Sequence, residues 1–225
     1  MLACCSSSAC AQQQLERLLP TALANVRLLP FDAAGARLSL WVLTGTLTAV
    51  DGTPGRYKLT AALADRSSGL VIARAVVGVV EPRMDLSPTR FYADSPSLVR
   101  DRSVEGYLRT SEAAVGQPAD ALYLDQIPTA ALLTEAQTAY QAGRWDEALK
   151  LFTAAVERKD GEQLRTFNGL YLANTQLGRS TAAEAAFGKI AVLGLATNNL
   201  AVKLLFKPGS TDFWADARVA GVYPM

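Results

Sequence analysis

Three residue types recur at one interval in the second half of this chain. Gly143 and Gly178, Ala148 and Ala183, and Phe152 and Phe187 are each 35 positions apart, in the stretches "EAQTAYQAGRWDEALKLFTAAVE" and "LYLANTQLGRSTAAEAAFGKIAV". Within each stretch the apolar residues return every three to four positions, the period of a helix with one buried face. An interval of this size holds two helices and two turns, and such a unit buries its apolar face by stacking on the next. The recurring positions have steric tasks. A glycine ends the first helix of a pair because it accepts positive φ, alanine lets paired helices approach, and phenylalanine fills the space between units. These six residues are therefore expected to be core and not site.

The interval and its Gly, Ala and Phe positions resemble tetratricopeptide (TPR) repeats, which predicts an all-α domain of two helical hairpins over residues 129–196. TPR arrays bind partner segments on the concave face formed by the first helix of each pair. Carried onto this chain, that face presents Gln137, Tyr140, Gln141, Arg165, Asn168 and Asn174; ordinary solvent exposure of the same polar residues is the alternative reading. Two units are fewer than the roughly three that bury a continuous repeat core. Neighbouring segments are therefore expected to cap the ends: Ala119–Leu124 on one side and "NNLAVKLLF" (198–206) on the other.

Composition narrows the function classes. With 22 Lys and Arg against 21 Asp and Glu the net charge is +1, and no stretch gathers basic and aromatic residues as a nucleic-acid surface does. The longest apolar runs, "VVGVV" and "AVLGLA", fall far short of the roughly 18 residues of a spanning helix. The chain has no histidine, so every Ser-His or Cys-His arrangement is excluded. "DGTPGRYK" lacks the spacing of a phosphate loop and lies between two strand-like runs, where it reads as a hairpin turn. No catalytic residue, cofactor or metal ligand is assigned. An enzyme working through carboxylates alone is the reading from a different class.

All three cysteines lie at the front, in "MLACCSSSAC". They do not spread through the fold as a disulfide framework does, and Cys4 and Cys5 are adjacent, unsuited to chelation. Leu2-Ala3-Cys4 followed by serines resembles the end of a bacterial lipoprotein signal, which implies lipidation at Cys4; the charged and apolar regions that begin such a signal are not in the sequence. Residues 1–11 are thus a signal remnant or an incidental small-residue tail.

From Arg37 to Val80 the period is that of strands: "RLSLWVLTGTLTAV", a Gly-Pro turn, "YKLTAALAD", an "RSSG" turn, then "LVIARAVVGVV". A three-stranded antiparallel meander follows. In its second strand Tyr57, Leu59, Ala61 and Leu63 are expected to face the core. The third, apolar on both sides except for Arg74, is expected to be the more central. Ahead of them, "QQQLERLLPTAL" is an amphipathic helix candidate that would cover the sheet. "WVLTGTLTAV" and "YKLTAALADRSSGLVIARA" resemble the bacterial envelope lipoprotein domains of the LpoB, FlgO and CsgG type, which implies an α/β domain over residues 12–80, non-catalytic and acting by binding other envelope proteins. Residues 81–128 hold Pro82, Pro88, Pro96 and Pro118 and no steady period, so they read as a connector with short ordered pieces, in which Tyr92, Tyr107 and Tyr123 either form an exposed aromatic surface or, the favoured reading, anchor the segment onto its neighbours.

"AVKLLFKPGSTDFW", with Phe206, Gly209, Ser210 and Phe213, resembles the opening strand and turn of the OmpA-like peptidoglycan-binding domain, so residues 197–225 are expected to be the start of one. The Asp and Arg that grip peptidoglycan in that family lie farther downstream and have no counterpart here. The order of these pieces resembles an OmpA-family envelope lipoprotein. It implies an α+β chain, cut short or a natural short form, acting in the bacterial periplasm or at the outer membrane. The expected function is non-catalytic scaffolding that holds another envelope protein or peptide against the TPR-like helices. A regulator that activates a peptidoglycan synthase by contact is the second reading.

Overall fold

The structure, a computed structural model, describes residues 29–82, 88–98 and 102–197. The expectations about Cys4, about the helix in "QQQLERLLPTAL", about the cap in "NNLAVKLLF" and about an OmpA-like start fall outside those residues. The chain is mixed α+β: one three-stranded sheet and, among the described residues, eight helices. It forms two compact units, each made of two stretches. Among the described residues, 29–82 joins 102–134, and 88–98 joins 135–197.

In the first unit, helix α1 (Ala33–Leu38) starts where Asp32 accepts a hydrogen bond from Gly35 N at 2.7 Å, a side-chain N-cap. The strands β1 (Trp41–Ala49), β2 (Arg56–Asp65) and β3 (Val71–Val80) follow as an antiparallel meander in that order. The "DGTPG" stretch is the β1–β2 turn, with Gly52 and Gly55 at φ +68° and +76°. The "RSSG" stretch is the β2–β3 turn, closed by the Asp65 carboxylate, whose Oδ1 accepts from Ser67 N and Ser68 N, both at 2.8 Å. Asp65 also accepts from Trp41 Nε1 at 2.9 Å.

Two expectations about the sheet are overturned. The central strand is β2, and β3 lies at the edge with most of its length exposed. Its run of Val and Ile records β-propensity, which an edge strand satisfies as well as a central one. The face of β2 is also inverted beyond Tyr57: Thr60, Ala62 and Ala64 are buried, while Leu59, Ala61 and Leu63 are only half-buried. The small side chains win because a helix lies on that face. Helix α3 (Arg102–Glu112) packs against β1 and β2, and Ala62, Ala64, Val71 and Ala119 form one core cluster there.

A second cluster joins Ala36, Val42, Tyr123, Ile127 and Ala131, with Tyr107 against it. Tyr123 belongs to helix α4 (Ala121–Asp125), capped by Asp120, whose Oδ1 accepts from Tyr123 N at 2.9 Å. Tyr107 and Tyr123 meet edge to face with ring centroids 5.7 Å apart. Gly45 donates its N–H to the Tyr107 hydroxyl at 3.0 Å, and that hydroxyl donates to Gly45 O. Tyr107 thereby occupies the outer edge of β1, where an open ladder would otherwise invite another strand. Ala119–Leu124, expected to cap the helical repeats, lies in these two clusters, where Tyr123 and Leu124 pack with Ile127 and with Ala131 at the start of the expected repeat region.

The helix α5 (Ile127–Gln141) supplies residues to both units. In the second unit it is followed by α6 (Trp145–Val156), α7 (Leu164–Gln176) and α8 (Ser180–Ala196), with α6 packed on α7 and α7 on α8. The 35-residue interval is repeated in the backbone itself. At the end of α5, Gly143 has φ +75°, Gly143 N donates to Tyr140 O and Arg144 N to Ala139 O. At the end of α7, Gly178 has φ +70°, Gly178 N donates to Thr175 O and Arg179 N to Asn174 O. Both ends are Schellman caps, with the left-handed residue supplied by the recurring glycine. Ala148, Ala183 and Phe152 are buried as expected, while Phe187, touching Tyr171, is more than a third exposed.

Candidate functional site

The second unit contains a segment that the repeat pattern did not announce. Residues Pro88–Leu98 hold a single five-residue helix, α2 (Arg90–Asp94), capped by Thr89, whose Oγ1 accepts from Tyr92 N at 3.3 Å. Its far end is fixed by Ser95, which donates Oγ to Phe91 O at 2.6 Å. One helical turn is far below the roughly 12 to 15 residues at which a helix holds itself together in water. The segment is ordered by what it touches.

Four of its side chains meet the longer helices. The Arg90 guanidinium lies over the Trp145 ring at 4.6 Å and over the Tyr140 ring at 5.9 Å. Phe91 is buried between two aromatics, edge to face with Tyr140 and stacked on Phe152, each at 5.8 Å. Tyr140 donates its hydroxyl proton to Asp94 Oδ2 at 2.8 Å. Ser97 N donates to Asn168 Oδ1 at 3.3 Å, and Asn168 Nδ2 donates to Ser97 Oγ at 2.9 Å and to Leu164 O at 2.8 Å. Burial raises the Tyr140 pKa well above its ordinary value, and the adjacent Asp94 carboxylate pushes it in the same direction. The tyrosine is held as a hydrogen-bond donor.

The six residues expected to face a partner fall into three groups. Tyr140 on α5 and Asn168 on α7 are fully buried, and both hold the 90–97 segment. Asn174 is buried too, but its Nδ2 donates to Leu170 O at 2.8 Å and its carbonyl closes the α7 cap, so it serves its own helix. Gln137, Gln141 and Arg165 are half-buried, and Arg165 donates Nη2 to Gln163 Oε1 at 3.3 Å. The residues missed from the sequence are Arg90, Phe91, Asp94, Ser97 and Trp145. The signal that marks the segment is local: a Thr N-cap flanked by Pro88, with Pro96 just past the turn.

Among the described residues, the other titratable groups with shifted pKa values have structural partners. Hydrogen bonds from Ser67 and Ser68 hold the Asp65 carboxyl far below the carboxylate range. Burial raises the Tyr107 hydroxyl. For Asp120 burial acts upward, yet the Tyr123 N–H and Arg109 outweigh it and lower the carboxyl. Among the described residues no three of Cys, Asp and Glu converge as a metal-holding group, and no helix is long and apolar enough to cross a membrane. No protein-family model, curated protein or solved structure matches this chain.

Proposed function

We propose that this chain is a non-catalytic binding protein whose second unit is a TPR-like helical repeat that holds peptide segments, and that it acts as a scaffold in the bacterial envelope. The observation that carries the reading is the engagement of Tyr140 and Asn168, on the first helix of each pair, by residues 91–97. Helices that seat an aromatic, an acid and a hydroxyl from a distant stretch of chain have the chemistry of a peptide-recognition surface. The envelope setting, the TPR assignment and the relation to OmpA-family lipoproteins come from the sequence resemblances, and Cys4 is the residue that would carry lipid.

The test is site-specific cross-linking in bacterial periplasm. A photoreactive residue at Gln137 or Arg165 of the full chain is expected to give discrete protein adducts, and one at the exposed Lys150 of α6 none. Adducts from Lys150 alone, or from no position, would overturn the reading. The synthase-regulator reading draws on a different surface, the apolar β3 edge with Ile72, Val76, Val77 and Val80 exposed. Adducts from Val77 but not from Gln137 would favour it.

A further inference from the structure

We infer that the second unit recognises a peptide of the pattern Arg-Phe-x-x-Asp-x-x-Ser, and that its own residues 90–97 are the resident copy of that ligand, displaceable by another segment that carries the pattern. This rests on the peptide-holding reading above and names the ligand class.

The site specifies the ligand by what each of its groups lacks when the segment is withdrawn. Phe91 fills the space between the Tyr140 and Phe152 rings, and both rings are fully buried with it in place. Removing it exposes two aromatic faces, so the replacement must bring an aromatic ring. The Tyr140 hydroxyl loses its acceptor at Asp94, so the replacement must bring an acceptor three positions later, and a carboxylate makes the stronger bond. Asn168, also fully buried, loses its three bonds with Ser97 and keeps the one to Leu164 O. Its replacement partner must bring a backbone N–H and a hydroxyl six positions after the ring. The Trp145 face, stacked under Arg90, takes a cation one position before the ring.

An empty site is therefore costly, because it leaves the Tyr140 hydroxyl proton without its carboxylate acceptor, the Asn168 carbonyl without its Ser97 donors, and aromatic surface in water. Exchange for a second copy of the pattern carries no such cost. The resident segment is also a weak holder of its own shape. Its only helix is five residues long, and the Arg90–Asp94 ion pair at 3.5 Å lies at the half-exposed side of it. Tethering adds to the hold of these contacts, since a segment joined to its site competes at a high effective concentration. Untethered, it should behave as an ordinary short peptide ligand.

The experiment uses the full chain with protease sites placed within residues 83–87 and 99–101, cut after folding, and a fluorescein-labelled synthetic peptide PTRFYADSPSL corresponding to residues 88–98. The anisotropy of the labelled peptide is expected to rise on the cut protein. Peptides carrying Phe91→Ala or Asp94→Lys should bind at least about tenfold more weakly, a loss of about 1.4 kcal/mol each. As a second measurement, the uncut Phe91→Ala chain, whose resident copy is weakened, should take up the wild-type peptide more tightly than the uncut wild-type chain does. The inference is overturned if the cut protein stays folded but does not exchange, if it unfolds once cut, or if the Phe91→Ala peptide binds as well as the parent. Failed exchange beside productive cross-linking at Gln137 removes the pattern and leaves the binding function. Exchange without cross-linking removes the envelope partner and leaves the site.

Discussion

Tyr140 and Asp94 stand 46 positions apart and are joined by one hydrogen bond of 2.8 Å. Because the acceptor is a carboxylate about a third exposed, the bond belongs at the lower end of the range for charged acceptors. Tyr140→Phe keeps the ring against Phe91 and Trp145 and is expected to cost about 1.5 kcal/mol, whereas Tyr140→Ala should cost about 3 to 5 kcal/mol through the lost ring. Urea unfolding at neutral pH measures both. The pH dependence has a fixed sign. The folded pKa of Tyr140 lies above its ordinary 10.0, so its contribution is complete below about pH 10 and is lost as pH rises toward the folded value. Wild type should therefore lose more stability above pH 10 than Tyr140→Phe, and parallel curves would contradict the assignment.

Gly169 on α7 is set against the Phe152 ring of α6. A Cβ added there would stand 2.2 Å from Phe152 Cε1. Phe152 is fully buried and stacked on Phe91, so the ring can make room only by pushing on its packed neighbours. Gly169→Ala is expected to destabilise by about 1 to 3 kcal/mol despite the better helix propensity of alanine. Gly188 on α8 is the control: nothing lies within 4 Å of its added Cβ, and Gly188→Ala should stabilise by about 0.5 to 1 kcal/mol. Thermal melts of the two variants should move in opposite directions.

These contrasts show which parts of the fold were legible. Gly143 and Gly178 could be placed because a Schellman cap needs a left-handed residue at one position, and the same need recurs 35 residues later. The meander was legible from its turns, whose glycines and Asp65 have local tasks. The buried face of β2 was not. Hydropathy favours Leu59 and Leu63, but helix α3 packs against β2, where the smaller Thr60, Ala62 and Ala64 are the buried residues. The segment seated on Tyr140 and Asn168 was hidden for a related reason. Phe91, Asp94 and Ser97 fall three apart but form no apolar repeat, being one aromatic, one acid and one hydroxyl, and their partners lie 46 or more positions away. The pattern identified two of the site's helix residues and could not say that the chain's own residues hold them.

Tyr107 closes the open side of β1 through Gly45. Tyr107→Phe keeps the ring against Tyr123 and leaves the Gly45 N–H and carbonyl without their hydroxyl partner. A loss of about 1 to 3 kcal/mol is expected, the cost of unpaired, partly buried backbone groups. Amide hydrogen exchange locates the effect: Gly45 should exchange faster in the variant, while amides of α7 in the second unit should change little. Unaltered exchange at Gly45 would mean that the hydroxyl does not guard this edge.

Asp65 is expected to add to the first unit's sensitivity to acid. Its Oδ1 accepts from the side chain and backbone of Ser67 and from Ser68 N, and these bonds favour the charged form, so the folded pKa lies well below the ordinary 3.8. A carboxyl depressed in this way stabilises fully above about pH 4, and the contribution disappears as pH falls through the folded value, because the unfolded chain takes up the proton first. Asp120, lowered by the Tyr123 N–H and Arg109, adds to the same window. Asp65→Asn retains an oxygen for the Ser67 and Ser68 N–H groups but has no proton to bind. The urea midpoint of wild type should therefore fall more steeply than that of Asp65→Asn between about pH 4 and pH 2, and the two curves should converge toward the acid end. Equal slopes would show that the turn holds Asp65 without preferring its charged form.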